Sequence, residues 1–297
     1  MHQVSLRLEM LQVARLAPKL LGDAADSVEK FLRSQLNPDG GFKDRAGASD
    51  LYYTVFGIES LFALRADLPL GALENYLRKF NDGADLDFVH IACLARCWAM
   101  LPPQLLDDVT RLSILTRLES YRSLDGGYHS APAAPTGTVY GCFLATGAYQ
   151  DLRRELPNPA GITNCVNSLK ATDGGYANQQ DLPMGLTPST AAAVTLLRQF
   201  DQPIDPSLAD WLLSRAHPEG GFFATPAAPI PDLLSTATAL HALAGMKTDI
   251  EPIKEKTLDF IDTLWSSQGA FCGNWEDDAL DCEYTYYGLL ALGHLSL

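Results

Sequence analysis

Two short segments of this 297-residue chain place acids at the start of apolar runs: Asp281-Cys-Glu283-Tyr284-Thr285 and Asp85-Leu-Asp87-Phe88. A carboxylic acid in apolar surroundings resists ionisation, so it can stay protonated and hand its proton to an alkene or an epoxide. Glu283, with Asp281 beside it, is the first candidate for such an acid, and Asp87 is the second. Asp87 and Glu283 together would also supply the two carboxylates that glycoside hydrolysis uses. The acids have a simpler reading as well. An aspartate just before a helix is a good N-cap and complements the helix dipole, and Asp50, Asp232 and Asp281 all stand at such positions. Tyr53, His90, Tyr140, Asp232 and Tyr284 fall at comparable places and are candidate ligand contacts, although a tyrosine also fills space.

The chain carries no GxGxxG, no phosphate-binding P-loop, no HExxH and no GxSxG, which leaves nucleotide, zincin and serine-hydrolase chemistry without a motif. Its net charge of -14 opposes binding to a nucleic-acid backbone, which depends on clustered Lys and Arg, and to an anionic membrane surface. The six cysteines include no CxxC pair, and Cys93 and Cys97 share a helix face. They read as small buried hydrophobes in a reducing compartment. No stretch approaches the roughly 18–20 apolar residues of a membrane span, and the N-terminus lacks a secretory leader pattern. A soluble cytoplasmic protein is expected.

The elements that must position these residues form a repeat. A Gly-centred turn recurs as PDGGF (38–42), NDGAD (81–85), LDGGY (124–128), TDGGY (172–176), PEGGF (218–222) and SQGAF (267–271). Gly40, Gly83, Gly126, Gly174, Gly220 and Gly269 are spaced by 43, 43, 48, 46 and 49 residues. A period near 40–50 in a helical chain means stacked helix pairs. An amphipathic helix precedes each turn, and Gly is a common helix stop. A more apolar second helix follows, marked by Thr54-Val-Phe-Gly57, Thr138-Val-Tyr-Gly141, Thr285-Tyr-Tyr-Gly288 and by the Ser-Thr-Ala runs from Ser189 and Ser235. That helix belongs to the inner of two rings. The expected fold is all-α, an α6/α6 toroid forming one domain over 1–297. The second repeat is the most degenerate, and 149–160 is the expected surface excursion.

The segment GGFKDRAGASDLYYTVFGIESL, 40–61, resembles the repeat of protein farnesyl- and geranylgeranyltransferase β subunits, also called the prenyltransferase and squalene-oxidase repeat. The resemblance extends over residues 20–297 and implies a barrel with an apolar funnel for an isoprenoid chain. It also implies a zinc site built from Asp-x-Cys and a His on the next inner helix. Asp232 matches the Asp, but Leu234 stands for the Cys and Tyr284 for the His. Cys272 and Cys282 are the nearest thiols that could substitute. The family's basic diphosphate cluster is matched by ATPAAPIPD, which has no Lys or Arg; Lys43 and Arg45 remain in the first repeat. No cofactor is therefore expected, zinc included.

Asp281-Cys-Glu283-Tyr-Thr285 resembles, loosely, the DxDD-T segment of class II terpene cyclases, with Glu283 at the proton-donor position and Asp87 at a second partial match. Such cyclases usually add a second helical domain. The expectation is a toroid that binds an isoprenoid or other apolar small molecule. Two alternatives stand beside it: a metal-independent cyclase-like enzyme using Glu283, and an inactive assembly module, since family β subunits pair with a helical-repeat protein partner.

Overall fold

The computed structural model describes residues 4–297; the first three residues of the expected domain lie outside the described residues. A first helix, α1 (Leu6–Ala14), and a single turn, α2 (Pro18–Leu21), lead into six helix pairs. These are α3 (Ala24–Ser34) with α4 (Leu51–Ala63), α5 (Leu70–Arg78) with α6 (Phe88–Ala99), and α7 (Asp108–Glu119) with α8 (Val139–Asp151). The ring continues with α9 (Pro159–Ser168) and α10 (Thr187–Gln199), α11 (Ser207–Leu213) and α12 (Leu233–Gly245), and α13 (Glu251–Thr263) and α14 (Cys282–Leu295). Each even-numbered helix from α4 to α14 packs against the two neighbouring even-numbered ones, and α14 packs on α4, so the inner ring closes. The degenerate second repeat leaves it intact.

The Gly turns close the outer layer. Gly40 has φ 95°, and a Cβ there would sit 2.0 Å from the carbonyl oxygen of Ala72 on α5; at Gly220, φ 102°, it would meet Lys256 O on α13 at 1.9 Å. Both the backbone conformation and the close approach exclude a side chain. The sixth turn, at Gly269, presses in the same way on Ser27 O of α3, which joins the last repeat to the first. Short antiparallel pairings, β1 (Phe42–Lys43) with β2 (Ser49–Asp50) and β3 (Trp265–Ser266) with β4 (Ala270–Phe271), stiffen two of these connections.

The threonines have a more specific role than close packing. Thr54, Thr190 and Thr236 are each the fourth residue of an inner helix and accept the backbone N–H of Phe42, Tyr176 and Phe222 at 2.8–2.9 Å. They tie each turn to its helix. Thr138 does something else. It is the N-cap of α8 and accepts from Gly141 N at 2.8 Å, so the TVYG of the third repeat is out of register with the TVFG of the first. The expected excursion at 149–160 is also shorter than its sequence suggests, because Tyr149–Asp151 finish α8 and Pro159 opens α9.

One element was not anticipated. Helix α1 packs on α14, α4 and α8 across the end of the barrel where the inner helices terminate. Its fit against α14 is tight, since a Cβ on Gly293 would lie 2.1 Å from Val13 O. The toroid is thus a cup, open where the inner helices begin and closed by α1 where they end.

Candidate functional site

The cup encloses a cavity of about 290 Å³, near the lower end of the ~300–1,000 Å³ typical of ligand pockets. Its wall follows helical periodicity. The second, fifth, sixth and ninth residues of the inner helices supply most of it, the i, i+3, i+4, i+7 face of each. Tyr52, Tyr140, Pro188 and Leu234 form the upper level; Phe56, Cys93, Phe143, Ala192 and Tyr287 belong to the middle; Arg96, Gly147, Thr195 and His241 form the lower. From α1 and the end of α8, Leu6, Arg7, Met10 and Asp151 make the floor. The middle is apolar and aromatic, with Phe56 within 5.0–5.7 Å, centroid to centroid, of Tyr52, Tyr286 and Tyr287.

At the mouth, Asp50, Asp87, Asp232 and Asp281 are all N-caps, of α4, α6, α12 and α14. Asp87 caps His90 N and also meets His90 Nδ1 at 2.8 Å, while His90 Nε2 lies 3.0 Å from Asp50 Oδ2. The hydrogen bond to Asp50, with Asp87 adding to it against the opposing effect of burial, raises the His90 pKa to about 9. Asp232 accepts from Ser235 N and Oγ at 2.7 Å. Asp281 accepts from Tyr284 N at 2.9 Å and from Arg45 Nε at 2.9 Å, and Arg45 Nη2 also reaches Asp277 at 2.9 Å. The Arg45 guanidinium lies 5.5 Å over the Tyr284 ring.

Glu283 is the second residue of α14, level with the cavity-lining Tyr52, and accepts a hydrogen bond from the Tyr52 hydroxyl at 2.5 Å. It is half-buried. Burial pushes its pKa above the usual carboxylate range, Tyr52 holds the shift back, and the Asp281 charge adds to it. Tyr53 stands edge-on to Tyr52 at 5.7 Å, and Tyr140 faces the cavity with 43% of its surface accessible. The structure therefore gathers Glu283, Asp281, Tyr53 and Tyr284 around one side of the mouth. It gives Asp87 to a different cluster, with Asp50 and His90.

The zinc positions do not fit the ion. Asp232 is occupied as a cap, Leu234 lines the cavity, and the Tyr284 ring packs over Gly273. Cys282 is buried, and burial raises both its thiol pKa and that of Cys272. Zinc requires thiolate, imidazole or carboxylate donors converging on one point. Among the described residues no three of His, Cys, Asp and Glu do so.

The floor holds what sequence reasoning missed. Arg96 Nε and Nη2 each donate to a Glu59 carboxylate oxygen at 2.6 Å, and the Glu59 side chain is fully buried. Arg7 Nε donates to Asp151 Oδ1 at 2.7 Å. Burial lifts the Asp151 pKa to about 6 against the pull of Arg7 and Arg96. His241 Nδ1 and His294 Nε2 lie 3.1 Å apart, and burial lowers the two pKa values to about 4 and about 3, with Arg198 and His241 adding to the respective effects. Glu59, Arg96, Thr195 and His241 are each the ninth residue of an inner helix. Polar residues at that one position were the available signal.

Residues 8–90, 79–216 and 189–296 each match the prenyltransferase alpha-alpha toroid domain. No curated protein matches the chain. Among solved structures, a variant of the type II terpene cyclase MstE from Scytonema, in complex with geranylgeranyl dihydroxybenzoate as substrate, superposes with a TM-score of 0.66 at 14% identity, covering 94% of this chain and 97% of that one. Candida albicans protein geranylgeranyltransferase-I, complexed with GGPP, gives 0.64 at 14% identity and covers 91% and 90%. A glycosidase variant gives 0.58 at 12% identity, covering 96% of each. At these identities the likeness is one of fold. Among the described residues no helix is long and apolar enough to cross a membrane.

Proposed function

The chain belongs to the prenyltransferase α/α-toroid family, and we propose that its central cavity binds an isoprenoid or similarly apolar chain without the zinc site of the protein prenyltransferases. The observation that carries this reading is the cavity itself: a closed-ended slot whose middle level is aromatic and aliphatic. Gly147 supports it, because among the described residues a Cβ built there meets nothing within 4 Å, which leaves space beside α8 for a ligand. The donor set of Asp232, Leu234 and Tyr284 argues against zinc.

The chemistry that fits such a site is proton-initiated. Glu283, whose pKa burial raises and which stands behind the cavity-lining Tyr52, would in its protonated form give that proton to a terminal alkene or epoxide. The substrate's electron pair takes the proton, and the carboxylate left behind keeps the Tyr52 hydrogen bond. The rings of Phe56, Tyr286 and Tyr287 would face the resulting cation and stabilise it. A second helical domain is not required on grounds of size, since the Scytonema cyclase is itself matched over 97% of its length by this one toroid. Asp87, bonded to His90 at the rim, is poorly placed to pair with Glu283 as a glycosidase would need.

Binding of farnesol, geranylgeraniol and squalene, followed by native mass spectrometry, tests the reading. Wild type should bind at least one of them, and Gly147→Leu, which fills the slot, should abolish it. Glu283→Gln should keep binding and lose turnover by about 100-fold or more. If none of the three chains binds, the proposal fails.

A further inference from the structure

The lower part of the cavity is more polar than a pure hydrocarbon would need. Arg96, Thr195 and His241 reach the wall at one level, beside the open space at Gly147, with Arg7 and Asp151 beneath them. The cations here are already matched. Arg96 holds Glu59 and Arg7 holds Asp151, whose side chain is 2% exposed. A further anion or cation arriving at this level would have to shed its water without finding a free counter-charge, which is costly in a buried site.

His241 is different. It is 5% exposed, it lines the cavity, and among the described residues its Nε2 has no hydrogen-bond partner. Glu9 Oε1 lies 3.8 Å from that nitrogen, too far for a hydrogen bond, and is bonded instead to Arg198. The other ring nitrogen is engaged by His294. A buried polar atom left without a partner is costly, and a ligand that supplies the partner recovers that cost on binding. Thr195 Oγ, which donates to Ala191 O at 2.8 Å, keeps acceptor capacity at the same level.

We propose that the ligand is amphipathic: an apolar chain ending in an uncharged hydrogen-bonding group, a hydroxyl or carbonyl, that sits on His241 Nε2 beside Thr195 at the bottom of the cup. This rests on the apolar-chain reading above and narrows it. The polar end goes in first, and the apolar end lies toward Glu283. A neutral imidazole suits either group, donating to a carbonyl in one tautomer and accepting from a hydroxyl in the other.

The experiment is a binding series with one chain and three ends: geranylgeraniol, the same chain ending in a methyl group, and geranylgeranyl diphosphate. Wild type should favour the alcohol over the methyl-ended chain by about 10-fold, the worth of one hydrogen bond, and should bind the diphosphate most weakly. His241→Leu and the near-isosteric Thr195→Val should reduce or abolish that preference, and continued binding of the methyl-ended chain shows at once that the variants are folded. Equal affinity for alcohol and methyl end in wild type, or tightest binding of the diphosphate, overturns the inference while the apolar-chain reading stands. Absence of binding by all three removes both.

Discussion

The open and closed ends of the barrel are both rich in charge, but the charge does different work. At the mouth, Asp50, Asp87, Asp232 and Asp281 each accept a backbone N–H two or three residues ahead. They complete helices, and their side chains answer to the local backbone first. At the closed end, Glu59, Arg96, His241 and Asp151 lie deep in their helices or at their last turn, where no cap is needed, and their partners come from other helices. Acids at helix starts are therefore weak pointers to function, while polar residues in the body of an inner helix have no local explanation. Glu283 is the exception at the mouth, being next to a cap but bonded to Tyr52 on the neighbouring inner helix α4.

This contrast can be broken experimentally. The largest effect should come from Arg96→Leu, which leaves Glu59 buried and unpaired and should lower unfolding free energy in urea by about 3–5 kcal/mol. Arg7→Leu should cost less, about 1–3 kcal/mol, because Asp151 can take up a proton. With its folded pKa already raised to about 6, the loss should be greatest at alkaline pH and shrink as pH falls through that range. At the mouth, His90→Ala should cost about 1 kcal/mol near neutrality. The sign follows from a raised pKa: His90 contributes fully below its ordinary 6.5 and loses that contribution as pH rises through about 9. Wild type should therefore weaken over this window relative to the variant. The smallest effect should be Asp232→Asn, a few tenths of a kcal/mol, against about 1 kcal/mol for Asp232→Ala, because Asn caps nearly as well. A floor variant as mild as Asp232→Asn would erase the distinction between the two ends.

The ring was legible in the sequence because the turn of every repeat needs a positive φ, and at Gly40, Gly126, Gly220 and Gly269 the turn also lies against the neighbouring repeat's backbone, so the Gly recurs at a nearly fixed period. The capping acids were legible for the same local reason. The TVYG motif at Thr138 misled because a threonine suits both an N-cap and the fourth helical position. The closed end was hidden for a geometric reason. Glu59 and Arg96 are 37 residues apart, and the repeat spacing varies too much for the ninth positions to align by counting alone. Helix α1 has no repeat to belong to, so nothing in the period announced it.

That first helix has a consequence for how the chain is made. Its firmest partner is α14, and Val13 rests on Gly293. The segment that emerges early from the ribosome thus waits for the latest inner helix before it can dock. Ring closure between α4 and α14 waits for the same helix. Both seals are long-range contacts of the kind that slow folding and leave apolar surface open in the interval. Until α14 arrives, the growing chain is an open solenoid with two unsealed edges, and its final helix works as the clasp for both.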